Sequence, residues 1–277
     1  AGQIFANSLI GVLTPASYIS YNILAMIMCL ALIPLAVTLS KEPSLPTTQK
    51  FRPYLAYQIS PLATLGVVIA GISTSAFGSI APLYVADLGM SNLEISYFLT
   101  AAVIGGVIVH PPAGFLADRF DRRSVLMFFS ILSTVVCLAI GSDLVGLAAQ
   151  GHSVSLLLAL SFGISTFPIY SLSAAHANDF AEPDDVLDLS ASLIFFYALG
   201  AIISPIIAGY IIGRFGTSYL FIYISVAHIL LMSFTIWRAI ARPVSSDDKP
   251  YAYYPRTTMF IANIIRGRNA SDKRDKP

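Results

Sequence analysis

Five charges stand within six residues at Asp118-Arg119-Phe120-Asp121-Arg122-Arg123, with long uncharged runs on both sides. One run ends at Leu116 and the next starts at Val125. Neither run stays soluble alone, and none of these charges sits comfortably in hydrocarbon. The stretch therefore reads as a tight loop joining two membrane helices. Composition agrees: 56% of the residues are hydrophobic and 11% are charged, against ~25% charged in soluble domains. The fold class expected is an all-α integral membrane protein. Cys29 and Cys137 each lie inside an apolar run, far apart in sequence, and read as small buried hydrophobes rather than as a disulfide or metal ligands.

Spans of about 20 apolar residues follow one another along the chain. Residues 1–13 are too short to cross and read as the end of a helix whose start is missing, so the chain, which begins at Ala1, reads as a fragment. A first complete span covers 22–40. Residues 41–58 carry Lys41, Lys50, Arg52 and three prolines, and read as a linker between two halves. Six spans follow, at about 59–85, 95–116, 124–142, 154–176, 189–213 and 218–237, and residues 241–277 form a polar, basic tail.

Alternating sides along this order puts the linker, the 117–123 hinge, the 177–188 loop and the tail together. That side holds every lysine and arginine except Arg214. Lys and Arg concentrate in cytoplasmic loops, so the side is expected to be cytoplasmic and the C-terminus with it.

A repeat is visible inside the six-span region. Gly106-Val-Ile-Val-His-Pro111-Pro112-Ala-Gly114 and Gly200-Ala-Ile-Ile-Ser-Pro205-Ile-Ile-Ala-Gly209 lie three spans apart, as a three-plus-three inverted repeat requires. The general enrichment of Gly and Pro in membrane helices gives a similar pattern.

The hinge also carries a family resemblance. Gly114-x-Leu116-Ala117-Asp118-Arg119-x-x-Arg122-Arg123-x-x-Leu126 resembles the signature loop of the major facilitator superfamily, which joins the second and third helices of each half. Asp121 departs from the glycine of the general pattern. An Asp-Arg-Phe-Asp-Arg-Arg version resembles the YcaD-like branch, as do Ala81-Pro82-Leu83-Tyr84, the stretch from Gly105 to Pro112, and Ala175-His176-Ala177-Asn178-Asp179. His110 stands where that branch has glutamine. The resemblance covers most of residues 20–240. It implies a superfamily-type helical bundle made of the C-terminal six-helix half, preceded by the end of helix five and by helix six. It also implies a conformational-switch loop of Gly114, Asp118, Arg119, Asp121, Arg122 and Arg123, in which Gly114 permits close helix contact and the charges hold one conformation.

The resemblance places helices seven and ten around a central cavity. The substrate-cavity candidates are Ser75, Ser79, Tyr84, His110, Thr166, Tyr170 and Ser173. For the hydroxyls the alternative is a bond to a neighbouring helix or to their own backbone. His176, Asn178, Asp179 and Asp185 are candidates for a cytoplasmic gate that pairs with the hinge arginines, the alternative being capping of the following helix by Asp185 or Asp188. His228 reads as structural. Gln3 and Asn7 are further cavity candidates, 259–265 reads as a short surface helix on the inner leaflet, and Asn269-Ala-Ser271 as a glycosylation triplet on the wrong side.

No charged side chain falls near the centre of a full span, where one costs at least ~2.5–3.5 kcal/mol. A coupling carboxylate is thus expected in the missing N-terminal half, or the protein is a uniporter. The function expected is secondary transport of a small solute across the cytoplasmic membrane by alternating access, with a coupling proton as a possible partner alongside the bilayer. The alternative is a non-transporting receptor or scaffold that kept the fold. No nucleophile–base spacing, metal-ligand cluster or phosphate loop is visible, so no enzyme, metal, cofactor or nucleic-acid partner is expected.

Overall fold

The computed structural model describes residues 18–37, 52–142 and 152–241. The expectations for Gln3 and Asn7, most of the linker, the 259–265 helix and Asn269-Ala-Ser271 lie outside the described residues. Within them the order is α1 (Tyr18–Val37), α2 (Leu55–Ile59), α3 (Pro61–Asp87), α4 (Asn92–Arg119) and α5 (Arg122–Gly141). Then come α6 (His152–Thr166), α7 (Pro168–Asn178), a 3-10 turn (Pro183–Asp185), α8 (Val186–Phe215) and α9 (Tyr219–Ala241). Among the described residues six stretches are long and apolar enough to cross a membrane, and they are the six expected after the linker. The shortest has 20 residues, which as a helix covers ~30 Å, the thickness of the hydrocarbon core.

Local chemistry sets the helix ends. Ser60 accepts from the Ala63 N–H at the start of α3, with Pro61 in the first turn. Ser91 and Glu94 form a reciprocal capping box on α4. Gly89 (φ 78) turns the chain between α3 and α4, and Gly216 (φ 100) ends α8.

Three features differ from the expectations. The 154–176 span is broken into α6 and α7 at Phe167, because Pro168 has no N–H to donate and its ring crowds the preceding turn. Cys29 is exposed rather than buried, since α1 turns most of its large apolar side chains outward; Cys137 is buried. The end of the polar linker carries an apolar foot: Leu55 and Ala56 of α2 are buried with Val67, Ala177, Leu189 and Leu193. Ser192 pins that foot, accepting from the Ala56 N–H at 2.9 Å and donating to the Pro53 carbonyl.

Two glycine seams hold the bundle together. Gly71 and Gly200 bring α3 against α8: a Cβ on Gly71 would meet the Tyr197 carbonyl at 2.2 Å, and one on Gly200 the Val68 carbonyl at 2.4 Å. Gly105 and Gly163 do the same for α4 and α6, with the Leu160 carbonyl at 2.2 Å and the Ala102 carbonyl at 1.8 Å. A three-plus-three repeat exchanges the first span with the fourth and the second with the fifth, so each seam is the image of the other. The first and fourth spans even share four letters at the seam, Gly71-Ile72-Ser73-Thr74 and Gly163-Ile164-Ser165-Thr166. The packing pairs Gly200 with Gly105, one residue from the Gly106 suggested by the proline spacing. A Cβ on Gly114 or Gly209 would meet nothing within 4 Å among the described residues. The close contact expected at Gly114 is therefore not made among the described residues, where Gly114 is exposed on α4.

Candidate functional site

Halfway along the spans lies a cavity of about 800 Å³. Its polar lining is Thr74 and Ser75 of α3, Tyr170 of α7 and Tyr197 of α8. Phe77, Leu99, Val103 and Ile194 supply apolar walls, and Phe167 reaches in from the break between α6 and α7. No charged residue lines it among the described residues. The hydroxyls are tied to the α3–α8 seam. Thr74 donates to the Ala70 carbonyl at 2.7 Å and sits 2.8 Å from the Tyr197 hydroxyl. Ser75 donates to the Ala201 carbonyl at 2.7 Å, and Ser204 returns a bond to the Ile72 carbonyl at 2.8 Å. The Tyr170 and Tyr197 rings meet edge to face at 5.3 Å.

Of the residues predicted for the cavity, Ser75 and Tyr170 line it. Ser79 is exposed one turn beyond. Tyr84 is buried in the core with its ring edge-on to Phe221 at 4.9 Å. His110 is exposed on α4 and donates from Nδ1 to the Gly106 carbonyl. Thr166 is buried against Ser133 of α5, oxygen to oxygen 2.7 Å. Ser173 is buried beside Gly66, and its hydroxyl has no hydrogen-bond partner among the described residues. His228, expected to be structural, is fully buried and sits 3.1 Å from Ser73 through Nε2. Thr74, Phe167 and Tyr197 were not singled out from the sequence. The repeated Gly-Ile-Ser-Thr and the aromatic residue before Pro168 were the available signals.

At one end of the bundle the charged residues converge. Asp121 caps α5, accepting from the Arg123 N–H at 3.2 Å, which accounts for an aspartate where the general pattern has glycine. Arg122 lies 3.7 Å from Asp118 and 3.2 Å from Asp179, so it bridges the end of α4 to the loop after α7. Burial pushes the Asp179 carboxyl above the ordinary aspartate value; Arg122 opposes this, and Asp118 and Asp121 add to it. Asp185 makes a 2.7 Å ion pair with Arg52 and gives no side-chain cap to α8, so the capping alternative does not hold for it. Asn178 turns back onto the Ala174 carbonyl, and the buried His176 ring packs edge-on to Phe180 at 5.2 Å. Arg119 and Arg123 stand beside this cluster on the same hinge.

Six apolar spans among the described residues, four of them paired by two symmetric glycine seams around a central cavity, define a multi-pass helical membrane protein. The sequence matches the family model of the Major Facilitator Superfamily over residues 63–268, and the chain belongs to that superfamily. It is 28% identical over 204 residues to an uncharacterized MFS-type transporter of Yersinia pestis, covering 72% of this chain and 49% of that protein. It is 26% identical over 195 residues to the uncharacterized MFS-type transporter YcaD of Salmonella typhi, covering 69% of this chain and 47% of the relative. The chain thus spans about half the length of the curated relatives it matches.

Proposed function

We propose that the chain supplies the second six-helix bundle of a secondary transporter, which moves a small solute across the cytoplasmic membrane by alternating access. Residues 59–240 form that bundle, 1–40 the end of the first half, 41–58 the link between them and 241–277 a cytoplasmic tail. The observation that carries this reading is the cavity: hydroxyls from α3, α7 and α8 converge halfway along the spans of a superfamily member. The gathering of all lysines and arginines but Arg214 on one side of the span order supports a cytoplasmic placement of the hinge and tail. The ion pairs of Arg122 with Asp118 and Asp179 act as a latch on that side. No carboxylate is among the described lining residues, so a coupling proton would be carried by a group of the other half, the alternative being a uniporter.

Reconstitution into liposomes tests the reading. Saturable uptake of at least one solute from a broad panel, absent from empty liposomes and abolished by Tyr197→Ala, is the expected result. Saturable binding with no flux points instead to a receptor or scaffold that kept the fold.

A further inference from the structure

We infer that the wall this bundle gives to the cavity binds uncharged, ring-sized solutes that donate hydrogen bonds, and that it turns away anions. The inference rests on the transporter reading of the same cavity and adds the class of substrate to it.

The hydroxyl hydrogens decide the matter. A threonine or serine hydroxyl has one hydrogen to donate and lone pairs that accept. Thr74 spends its hydrogen on the Ala70 carbonyl, 2.7 Å away. Its 2.8 Å contact with Tyr197 must then be Tyr197 donating to Thr74. Ser75 spends its own hydrogen on the Ala201 carbonyl. Three of the four cavity hydroxyls therefore present only lone pairs. Tyr170 alone, with no hydrogen bond from its hydroxyl among the described residues, keeps a hydrogen to share.

The remaining wall is aromatic and aliphatic, and ring faces are electron-rich like the lone pairs. An anion meets no cation among the described lining residues and is repelled by the acceptors. A cation finds ring faces but no carboxylate to neutralise it, and burying an unpaired ion is expensive. A neutral donor satisfies the acceptors and covers the apolar wall at once. The volume, about 800 Å³, falls within the ~300–1,000 Å³ common for small-molecule sites.

The test uses four probes on one ring: 2-naphthol (neutral donor), 2-methoxynaphthalene (donor capped), 2-naphthoate (anion) and 2-naphthylmethylammonium (cation). Saturable binding to the full chain in lipid nanodiscs is measured by equilibrium dialysis, with empty nanodiscs subtracted. We expect 2-naphthol to bind about tenfold more tightly than each of the others, the scale of one buried hydrogen bond left unmade. Thr74→Val frees the Tyr197 hydrogen and converts that site from acceptor to donor, so the preference for 2-naphthol over its methyl ether should shrink. Ser75→Ala, which leaves the Tyr197 bond in place, should keep the preference. Equal binding of 2-naphthol and its ether, or tightest binding of either ion, overturns the substrate class while leaving an occupied cavity and the transporter reading intact. No saturable binding of any probe overturns the class and removes the cavity's support for transport as well.

Discussion

The backbone carbonyl of Tyr197 lies against the bare Cα of Gly71, so close that a Cβ there would come within 2.2 Å of it. This contact draws α8 onto α3 and delivers the Tyr197 hydroxyl to Thr74 at 2.8 Å. A packing glycine thereby sets the polarity of the cavity wall. The substitution Gly71→Ala meets backbone, which cannot rotate away, so the helices must part. We expect a loss of ~1–3 kcal/mol, typical of an overfilled core, read as a fall in unfolding temperature in detergent. Gly209→Ala, with open space around it, should be neutral or stabilising by ~0.5–1 kcal/mol through helix propensity. Equal effects at the two sites would show that the seam is not under steric constraint.

Much of this architecture is legible in the letters, and the reason is length. Apolar runs of span length leave the chain few choices in lipid, and the charges from Asp118 to Arg123 could only stand where one span ends and the next begins. The helices run further into that stretch than the expected loop allows, leaving only Phe120 and Asp121 between them. The direction of each side chain is a different matter. A helix that is apolar all round carries no stripe to show which face meets protein, so Ser75 and Ser79, one turn apart, read alike although only Ser75 lines the cavity. The break at Pro168 was equally hidden, because Pro82, Pro111, Pro112 and Pro205 all stay inside helices. The repeat stands in the letters of the first and fourth spans at Gly71-Ile72-Ser73-Thr74 and Gly163-Ile164-Ser165-Thr166, whereas in the second and fifth spans the proline spacing marks Gly106, one residue from the Gly105 of the seam.

A second prediction concerns the buried pair Ser73 and His228. Ser73 also donates to the Ile69 carbonyl at 2.8 Å, whereas His228 has no other partner, its Nδ1 being unmatched among the described residues. The two partners are therefore unequal. Ser73→Ala strands a fully buried imidazole and should destabilise by ~1–3 kcal/mol. His228→Leu leaves Ser73 bonded to its own helix and removes both ring nitrogens, the unmatched Nδ1 among them, so it should cost less. Urea or detergent unfolding of the two variants ranks them, and the reverse order would mean that the ring's volume outweighs its polarity.

A third follows from Asp179, whose carboxyl is held above the ordinary aspartate value by burial despite Arg122. A carboxyl with a raised folded-state pKa favours the folded protein while protonated. That contribution is complete below the ordinary aspartate value and is lost as pH rises through the raised one. Asp179→Asn fixes the neutral form. The stability difference between variant and parent should therefore shift in the variant's favour as pH rises across that window and level off above it. A difference that stays flat with pH would show that Asp179 titrates as it does in the unfolded chain. Because the group is half-exposed, the shift should be a fraction of a kcal/mol.

The last prediction takes Arg122 as a latch. Its guanidinium reaches Asp118 of its own hinge and Asp179 beyond α7, and it is the better buried member of both pairs. Exposed ion pairs contribute ~0–1 kcal/mol, too little to hold a fold. That is still enough to shift a two-state equilibrium about fivefold, since 1.4 kcal/mol corresponds to tenfold. Arg122→Glu places three carboxylates together and should widen the distance between spin labels on the end of α4 and the end of α7, with little change in unfolding temperature. Adding Asp179→Arg restores one opposite-charge pair and should narrow the distribution again. If the distances in Arg122→Glu match the parent, the cluster is solvated charge and holds nothing closed. If they widen and the double variant does not recover, the arginine acts through contacts other than Asp179.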